Sequence, residues 1–367
     1  MASPFFGGPE RQVLGLARAM RPKSVTRFYS FREGGAADDF LNRARSAGFD
    51  AVPLEANWPN FRACRDEIAD RLRRDSIDLL ITNGYKPDIL GLAGARKAGI
   101  PAVAIAHGWT AATWKVRLNE WLDKQAMKRF DRVVGVSDKQ SERVIRAGVA
   151  KERVVTIHNG ISPDELAQRN ADHRAALLRY FDSPPEVVFI AAGRLSPEKG
   201  FDVLIDAVDR METRVPFGVL IFGAGPLEAA LRERIQRGHI ADKVVLGGFC
   251  DSLDRLLPQA DGFVMSSRTE GLPVIMLESM AAGLPGVVTP VGGIPEVMEH
   301  EQNGIHCPVD DPDLLAKRLE DLVASPALRA RLGEAAEKTI RSRFTHEHQA
   351  HEFQRLADLL VNLNGGT

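Results

Sequence analysis

Short apolar runs alternate with longer amphipathic stretches through most of this chain, and that alternation is the strongest constraint on its fold. Candidate strands are Val25–Phe31, Ala51–Leu54, Asp78–Thr82, Ala102–Ala106, Arg132–Val136 and Arg153–Ile157, then Val187–Ala192, Gly218–Phe222, Lys243–Leu246, Gly262–Ser266 and Gly286–Thr289. Strands separated by helix-length segments must run parallel, with helices covering both faces of each sheet. The expected class is α/β, as two doubly wound domains. The boundary is expected near Ser162-Pro163, where His158-Asn159-Gly160 closes one strand and a polar stretch precedes the next helix. This gives domains at 1–162 and 163–345, with a terminal helical segment at 346–367.

The amino terminus departs from the pattern. The helical stretch Glu10–Met20 has only Ser3–Phe6 and Gly7-Gly8 before it, with no strand. In a doubly wound sheet the first strand is central, and its loss leaves neighbouring backbone groups without partners. The expectation is a truncated first strand, the natural chain starting about ten residues earlier.

At 367 residues, with 44% hydrophobic and 26% charged residues, the chain can bury two cores, which excludes disordered and small disulfide-rich classes. The most apolar stretch, Val274–Val291, is interrupted by Glu278, Gly283 and Pro285, so no membrane-spanning run is written. The start lacks a basic leader with an apolar core. Cys64, Cys250 and Cys307 form no C-x-x-C pair, which fits a reducing cytoplasm. The net charge of −1 hides an asymmetry: residues 1–150 hold 25 Lys and Arg against 17 Asp and Glu, leaving 23 against 32 in the remainder. A basic first half can collect anionic substrates or lie on an anionic leaflet, and it also serves solubility and attraction between domains.

Two segments carry the chemistry. In Ser266-Ser267-Arg268-Thr269-Glu270-Gly271-Leu272-Pro273, followed by a helix containing Glu278, a strand ends, a glycine loop turns and Pro273 opens the helix. Ligands bind outside the carboxyl ends of such strands. Two glutamates near a helix start could by themselves serve only the helix dipole. The second segment, Ala191-Ala192-Gly193-Arg194-Leu195-Ser196-Pro197-Glu198-Lys199-Gly200, repeats the strand, glycine and helix order and adds two cations where a diphosphate would sit. It is not a P-loop, since the G-x-x-x-x-G-K-[ST] spacing is absent.

With these segments, Gly7-Gly8-Pro9-Glu10-Arg11-Gln12, His107-Gly108, Val136-Ser137, His158-Asn159-Gly160-Ile161 and Gly223-Ala224-Gly225-Pro226-Leu227, the chain resembles the retaining family 4 glycosyltransferases of GT-B fold over nearly its whole length. The resemblance implies two Rossmann-like domains facing across a cleft and a terminal helix returning to the first. It implies a nucleotide-sugar donor held mainly by the second domain, a glycan or glycolipid acceptor held mainly by the first, and no metal or other cofactor. It gives Arg194 and Lys199 the donor diphosphate, Glu278 the ribose hydroxyls and Glu270 a place beside the sugar. The backbone at Gly193, Gly271, Leu272 and Pro273 lines the donor, His107 lies near the sugar, and Gly7 and Gly8 let backbone approach the phosphates. The alternative for His107, which its strand-end position disfavours, is a buried, satisfied histidine. Glu270, His107, Arg194 and Lys199 are the catalytic candidates, with the leaving phosphate as base rather than a pair of carboxylates of the glycosidase kind.

Other features read as structural. Asp311-Pro312-Asp313 spells a D-x-D but stands where it would cap the helix Leu314–Val323. Gly223-Ala224-Gly225 lacks the third glycine of a dinucleotide fingerprint, Glu228 standing in its place. Gly135-Val136-Ser137-Asp138-Lys139 lacks the second glycine of a nucleophile elbow. His346, His348 and His351 read as a surface helix rather than a metal site. In Trp114–Phe130, the residues Trp114, Leu118, Trp121 and Leu122 follow helical spacing beside Lys115, Lys124, Lys128 and Arg129. That pattern fits a core-packing helix with a solvated basic face, or a helix lying in an anionic bilayer interface.

The expected activity is sugar transfer from a UDP- or GDP-sugar to an acceptor hydroxyl in cell-surface polysaccharide or lipopolysaccharide synthesis. The expected location is the cytoplasm, peripheral at the inner face of the membrane, with no nucleic-acid partner. A nucleotide-sugar epimerase on the same fold and a non-catalytic nucleotide-sugar-binding module are the alternatives, and an NAD oxidoreductase ranks behind both.

Overall fold

The computed structural model describes residue 1, residues 6–109 and residues 114–365. In chain order the elements are α1 (Gly8–Met20), β1 (Arg27–Phe31), α2 (Asp38–Ser46), β2 (Asp50–Leu54), α3 (Phe61–Arg74), β3 (Leu80–Asn83), α4 (Tyr85–Ala98), β4 (Ala102–Ala106), α5 (Trp114–Met127), β5 (Arg132–Gly135), α6 (Asp138–Arg146) and β6 (Val154–Thr156). Then follow α7 (Ala171–Leu178), β7 (Val187–Ala192), α8 (Phe201–Arg210), β8 (Phe217–Phe222), α9 (Glu228–Arg237), β9 (Val244–Gly248), α10 (Leu253–Leu256), β10 (Gly262–Met265), α11 (Val274–Ala281), β11 (Gly286–Val288), β12 (Ile305–His306), α12 (Pro312–Ala324), α13 (Pro326–Arg343) and α14 (His346–Gly365). All eleven strands expected from the alternation form. The short β12 was not anticipated, since two residues carry no periodicity.

The chain divides into two compact units, Met1–Gly160 with His346–Thr367, and Ile161–Thr345. In the first, β3-β4-β5-β6 form one parallel sheet and β1-β2 a separate parallel pair. β4 is buried along its whole length, as a strand covered on both faces must be. One core gathers Leu72, Leu90, Phe130 and Val133, and a second gathers Phe28, Phe40 and Phe49, with Phe40 and Phe49 each packed edge-on against Phe28. α14 packs along α1, with the buried His346 ring over Gly15. The histidine cluster is therefore only partly a surface feature: His346 is core, while His348 and His351 are exposed.

Met1 pairs with β1. Its amino group donates to Tyr29 O at 2.8 Å, and its carbonyl accepts from Phe31 N at 3.0 Å. The residues Ala2–Phe5, on which part of the truncated-strand expectation falls, lie outside the described residues.

In the second unit six parallel strands run β12-β11-β10-β7-β8-β9. Phe189, Ile190, Val219, Leu220 and Ile221 are fully buried, each fully buried large aliphatic or aromatic side chain contributing about 1.5 to 3 kcal/mol. Caps fix several helix starts. Asp311 Oδ1 accepts from Leu314 N at 2.9 Å, and Ser325 Oγ accepts from Leu328 N at 3.2 Å. Asp311 thus caps α12, as its position before an apolar-periodic helix implied. In the first unit Ser137 caps α6, accepting from Gln140 N at 3.1 Å, which accounts for a serine that resembled an incomplete nucleophile elbow. Among the described residues no helix is long and apolar enough to cross a membrane.

Candidate functional site

The strand order of the second unit reverses between β7 and β10, because β8 and β9 lie on one side of β7 while β10, β11 and β12 lie on the other. Loops leaving adjacent strands at such a reversal diverge and open a crevice. Both segments singled out from sequence leave from it: Gly193–Lys199 from β7, and Ser266–Pro273 from β10.

These loops are tied to each other. Lys199 Nζ lies 2.6 Å from Glu270 Oε1, which also accepts from Ser267 Oγ at 2.6 Å. The Glu270 side chain is only 8% exposed, and that of Lys199 20%. Gly200 adopts a left-handed φ of 63°, and a Cβ there would collide with the Ser266 carbonyl, whose own hydroxyl donates to Gly200 O at 2.8 Å. Arg268 N donates to Glu198 O, and the Arg268 guanidinium spans Asp202 and Asp310. Asp202 is held below the usual carboxylate range against the cost of its burial by the Arg268 hydrogen bonds. Arg268, quoted in the motif without a role, thus emerges as the strut joining the two loops.

The β8 loop packs on the same site. Leu195 N donates to Ala224 O and Leu227 N to Leu195 O, both at 3.0 Å. Gly223 lies so close to Gly193 that any Cβ would strike its carbonyl oxygen. The Gly223-Ala224-Gly225 segment serves this contact, which explains its glycines without a dinucleotide. Arg194 is exposed, and among the described residues its guanidinium makes no ion pair. Pro273 stands at the residue before α11 rather than inside its first turn. Leu272 and Pro273 are buried, Gly271 is half-buried, and Glu278 is half-buried in α11.

In the first unit His107 follows β4 and borders a small cavity with Gln12, Val134 and Asn159. Its Nε2 is buried without a hydrogen-bond partner among the described residues, as is Gln12 Oε1. Burial pulls the imidazole pKa down from 6.5 to about 4, so the ring is neutral near pH 7. Gly7 precedes α1 in extended conformation, and its N–H donates to Glu10 Oε2 at 2.9 Å, while Gly8 is the first helical residue. A buried carboxyl pair, Asp88 and Asp123, escaped the sequence reading. Burial, then the neighbouring Asp123 charge, holds Asp88 well above the usual range, and Trp109 Nε1 donates to Asp123 Oδ2 at 3.1 Å. Isolated aspartates on amphipathic helices carry no sequence signal for such pairing.

Part of the apolar stripe of α5 faces outward. Leu118 is 50% and Trp121 56% exposed, whereas Glu120 and Asp123 are buried. The reading of α5 as a core helix burying its apolar stripe therefore fails for these two residues. The Trp114 and Lys115 side chains lie outside the described residues.

Parallel α/β units with loops leaving a sheet reversal are the doubly wound architecture, and comparison with known proteins shows that it is of the GT-B glycosyltransferase class. The group 1 glycosyl transferase model matches residues 181–339, and the Glycosyltransferase Family 4 model matches residues 6–165. The chain belongs to this family of GT-B glycosyltransferases. Among its relatives, an amylovoran biosynthesis glycosyltransferase, AmsK of Erwinia amylovora, is 32% identical over 60% of this chain and 54% of its own length. The chain thus spans little more than half of that curated relative. The UDP-Gal:alpha-D-GlcNAc-diphosphoundecaprenol alpha-1,3-galactosyltransferase of Escherichia coli is 26% identical over 77% of this chain and 76% of its own. Anabaena HepE, solved in complex with UDP-glucose, superposes with a TM-score of 0.84 at 20% identity, covering 98% of each chain.

Proposed function

We propose that this protein transfers a sugar from a nucleoside diphosphate sugar to an acceptor hydroxyl with retention of anomeric configuration. The observation that carries the reading is the linked pair Lys199 and Glu270 at the reversal of the second sheet, with Arg194 exposed on the same loop. Two cations on one strand-end loop suit a diphosphate, whose negative charge grows as the sugar–phosphate bond breaks. Glu278 accepts hydrogen bonds from the ribose hydroxyls. Glu270, already fixed by Lys199 and Ser267, sits beside the sugar. The backbone of Gly193, Gly271, Leu272 and Pro273 lines the donor, and the role of Gly7 and Gly8 is to let backbone approach its phosphates.

In the transfer the bond from the anomeric carbon to the phosphate oxygen breaks, a bond to the acceptor oxygen forms on the same face, and the acceptor proton passes to the departing phosphate. Neutral His107 serves the sugar by hydrogen bonding. Arg194 and Lys199 supply the positive charge, so the reaction as read calls for no metal ion. A UDP-sugar is the favoured donor, supported by the UDP-glucose complex of HepE and by the named donor of the galactosyltransferase relative. The acceptor is a glycan or glycolipid, and the work is done at the inner face of the membrane, where the exposed Leu118 and Trp121 of α5 make the contact.

The test is thermal stability with chelator present, against UDP, GDP, ADP and NAD. Selective stabilisation by one nucleoside diphosphate, lost in Arg194→Ala, is expected. Stabilisation by NAD alone overturns the reading. Product NMR after turnover decides the anomer, and a donor altered without any acceptor would indicate an epimerase instead.

A further inference from the structure

Among the described residues of the first unit, the exposed aromatic side chains are Trp58, Phe61, Tyr85 and Trp121. Trp121 belongs to α5. The other three leave the carboxyl ends of β2 and β3, Trp58 being 59% and Tyr85 51% exposed.

A shared set of bonds seats these rings on adjoining loops. Asn57 Oδ1 accepts from Trp58 N at 2.8 Å and also from Lys86 Nζ, so the residue before Trp58 is bonded to the residue after Tyr85. Lys86 pairs as well with Glu33, just beyond β1, and its ammonium lies 4.5 Å from the centroid of the Phe31 ring. The carboxyl ends of β1, β2 and β3 are thereby joined at one edge. His107 follows β4 at the same edge, because β3 and β4 run parallel with Asn83 opposite Ile105. Ligands of α/β sheets bind outside this edge. The loop carrying Trp58 is fixed on both sides. The Glu67 carboxylate accepts from Glu55 N at 3.0 Å and from Ala56 N at 2.7 Å, and Asn60 Oδ1 accepts from Ala63 N at 3.2 Å where α3 begins.

Large apolar groups clustered in water on a well-bonded loop serve a contact rather than a core. A sugar ring suits these: its C–H groups give an apolar face, and its hydroxyls ring the edge. Flat, rigid aromatic side chains meet the face, and a few placed polar groups meet the hydroxyls. The polar groups here are of both kinds. Lys86 spends two of its three donors on Glu33 and Asn57, and Arg32 pairs with Glu55 at 2.6 Å across the ends of β1 and β2. Arg32 and Lys86 cancel Glu33 and Glu55 in charge. That balance favours a neutral ligand and offers an anionic leaflet no net attraction, which sets this cluster apart from Leu118 and Trp121 of α5.

We propose that Trp58 and Tyr85 are the stacking faces of a saccharide subsite, holding sugar of the acceptor by its C–H faces while Lys86, Glu33 and Asn57 meet the hydroxyls. The subsite rests on the reading of this protein as a glycosyltransferase whose acceptor binds the first unit. It makes the sugar part of that acceptor, and not any lipid part, the group recognised at this edge.

The experiment is fluorine NMR of protein labelled with fluorotryptophan, the Trp58 signal being assigned by its loss in Trp58→Phe. Hexasaccharides of glucose, galactose and N-acetylglucosamine are titrated, and vesicles of phosphatidylglycerol separately. At least one hexasaccharide is expected to move the Trp58 signal saturably while the buried Trp109 signal stays in place, and Tyr85→Ala should weaken that binding about three- to tenfold. A Trp58 signal unmoved by every sugar overturns the proposal, as does one moved by the vesicles alone. Thermal stabilisation by UDP is read on the same samples. Stabilisation by UDP with no response to sugar overturns the subsite and leaves the transferase reading standing. A Trp58 shift with sugar, in a protein that no nucleoside diphosphate stabilises, supports the stacking faces and fails the transferase reading alone.

Discussion

Lys199 and Glu270, 71 residues apart in the chain, meet at 2.6 Å where the sheet of the second unit reverses. The contact joins the residue assigned to the donor diphosphate with the one assigned to its sugar. A phosphate arriving at Lys199 would share the ammonium with a carboxylate that Ser267 continues to hold. Lys199→Ala is expected to lower turnover by about 10²- to 10³-fold and stability by at most about 3 kcal/mol. Steady-state rates and urea denaturation check the two effects. In the double variant with Glu270→Ala the stability losses should be less than additive, because the carboxylate left behind is removed as well.

Gly200→Ala tests the close approach beneath that pair. The left-handed backbone and the blocked Ser266 carbonyl predict strain for any side chain. A loss above about 1 kcal/mol by urea denaturation is expected, together with weaker nucleotide binding. An unchanged urea midpoint would show that the loop relaxes freely.

His107 gives the first unit a pH dependence of known sign. The folded ring titrates at about 4 and an unfolded histidine at 6.5, so the unfolded chain binds the extra proton between these values. This contribution to stability is complete above 6.5 and falls as the pH drops toward 4. Urea midpoints at pH 7.5 and pH 5 should differ less in His107→Asn than in the parent, and NMR should find no imidazole titration for His107 near neutrality.

Asp311→Ala should cost about 1 kcal/mol, the value of a helix cap, and leave turnover and its response to added divalent ions unchanged. A selective loss of turnover would instead return the D-x-D to the chemistry.

On α5, Leu118→Ser with Trp121→Ser should reduce sedimentation of the protein with anionic vesicles several-fold while leaving nucleotide binding intact. Absence of vesicle binding by the parent would remove the membrane contact from the proposed function.

The strands and the positions of the loops Gly193–Lys199 and Ser266–Pro273 were legible because each rests on local pattern: apolar runs of strand length, and glycine-bearing segments placed after them. Asp311 and Ser137 were equally local, since a cap is written within four residues. What escaped is pairing over distance. Arg268 was quoted only as part of a motif, yet Asp202 and Asp310 make it a strut between loops. Asp88 and Asp123 look like helix surface until tertiary packing buries both. The face of α5 stayed open between a core and a bilayer because helical spacing locates an apolar stripe and not the body it faces.

Because its two halves leave from β7 and β10, the loop pair proposed to hold the donor cannot exist until strands far apart in sequence have been seated side by side. Such non-local closure comes at a cost in loop entropy and is made late. Nucleotide affinity should therefore appear during refolding only with the completed second sheet, after most helical signal has returned. If the proposed donor site holds, retention of the protein on a nucleoside diphosphate resin would accordingly select chains whose second unit has finished folding, making such a ligand a quality check on the fold.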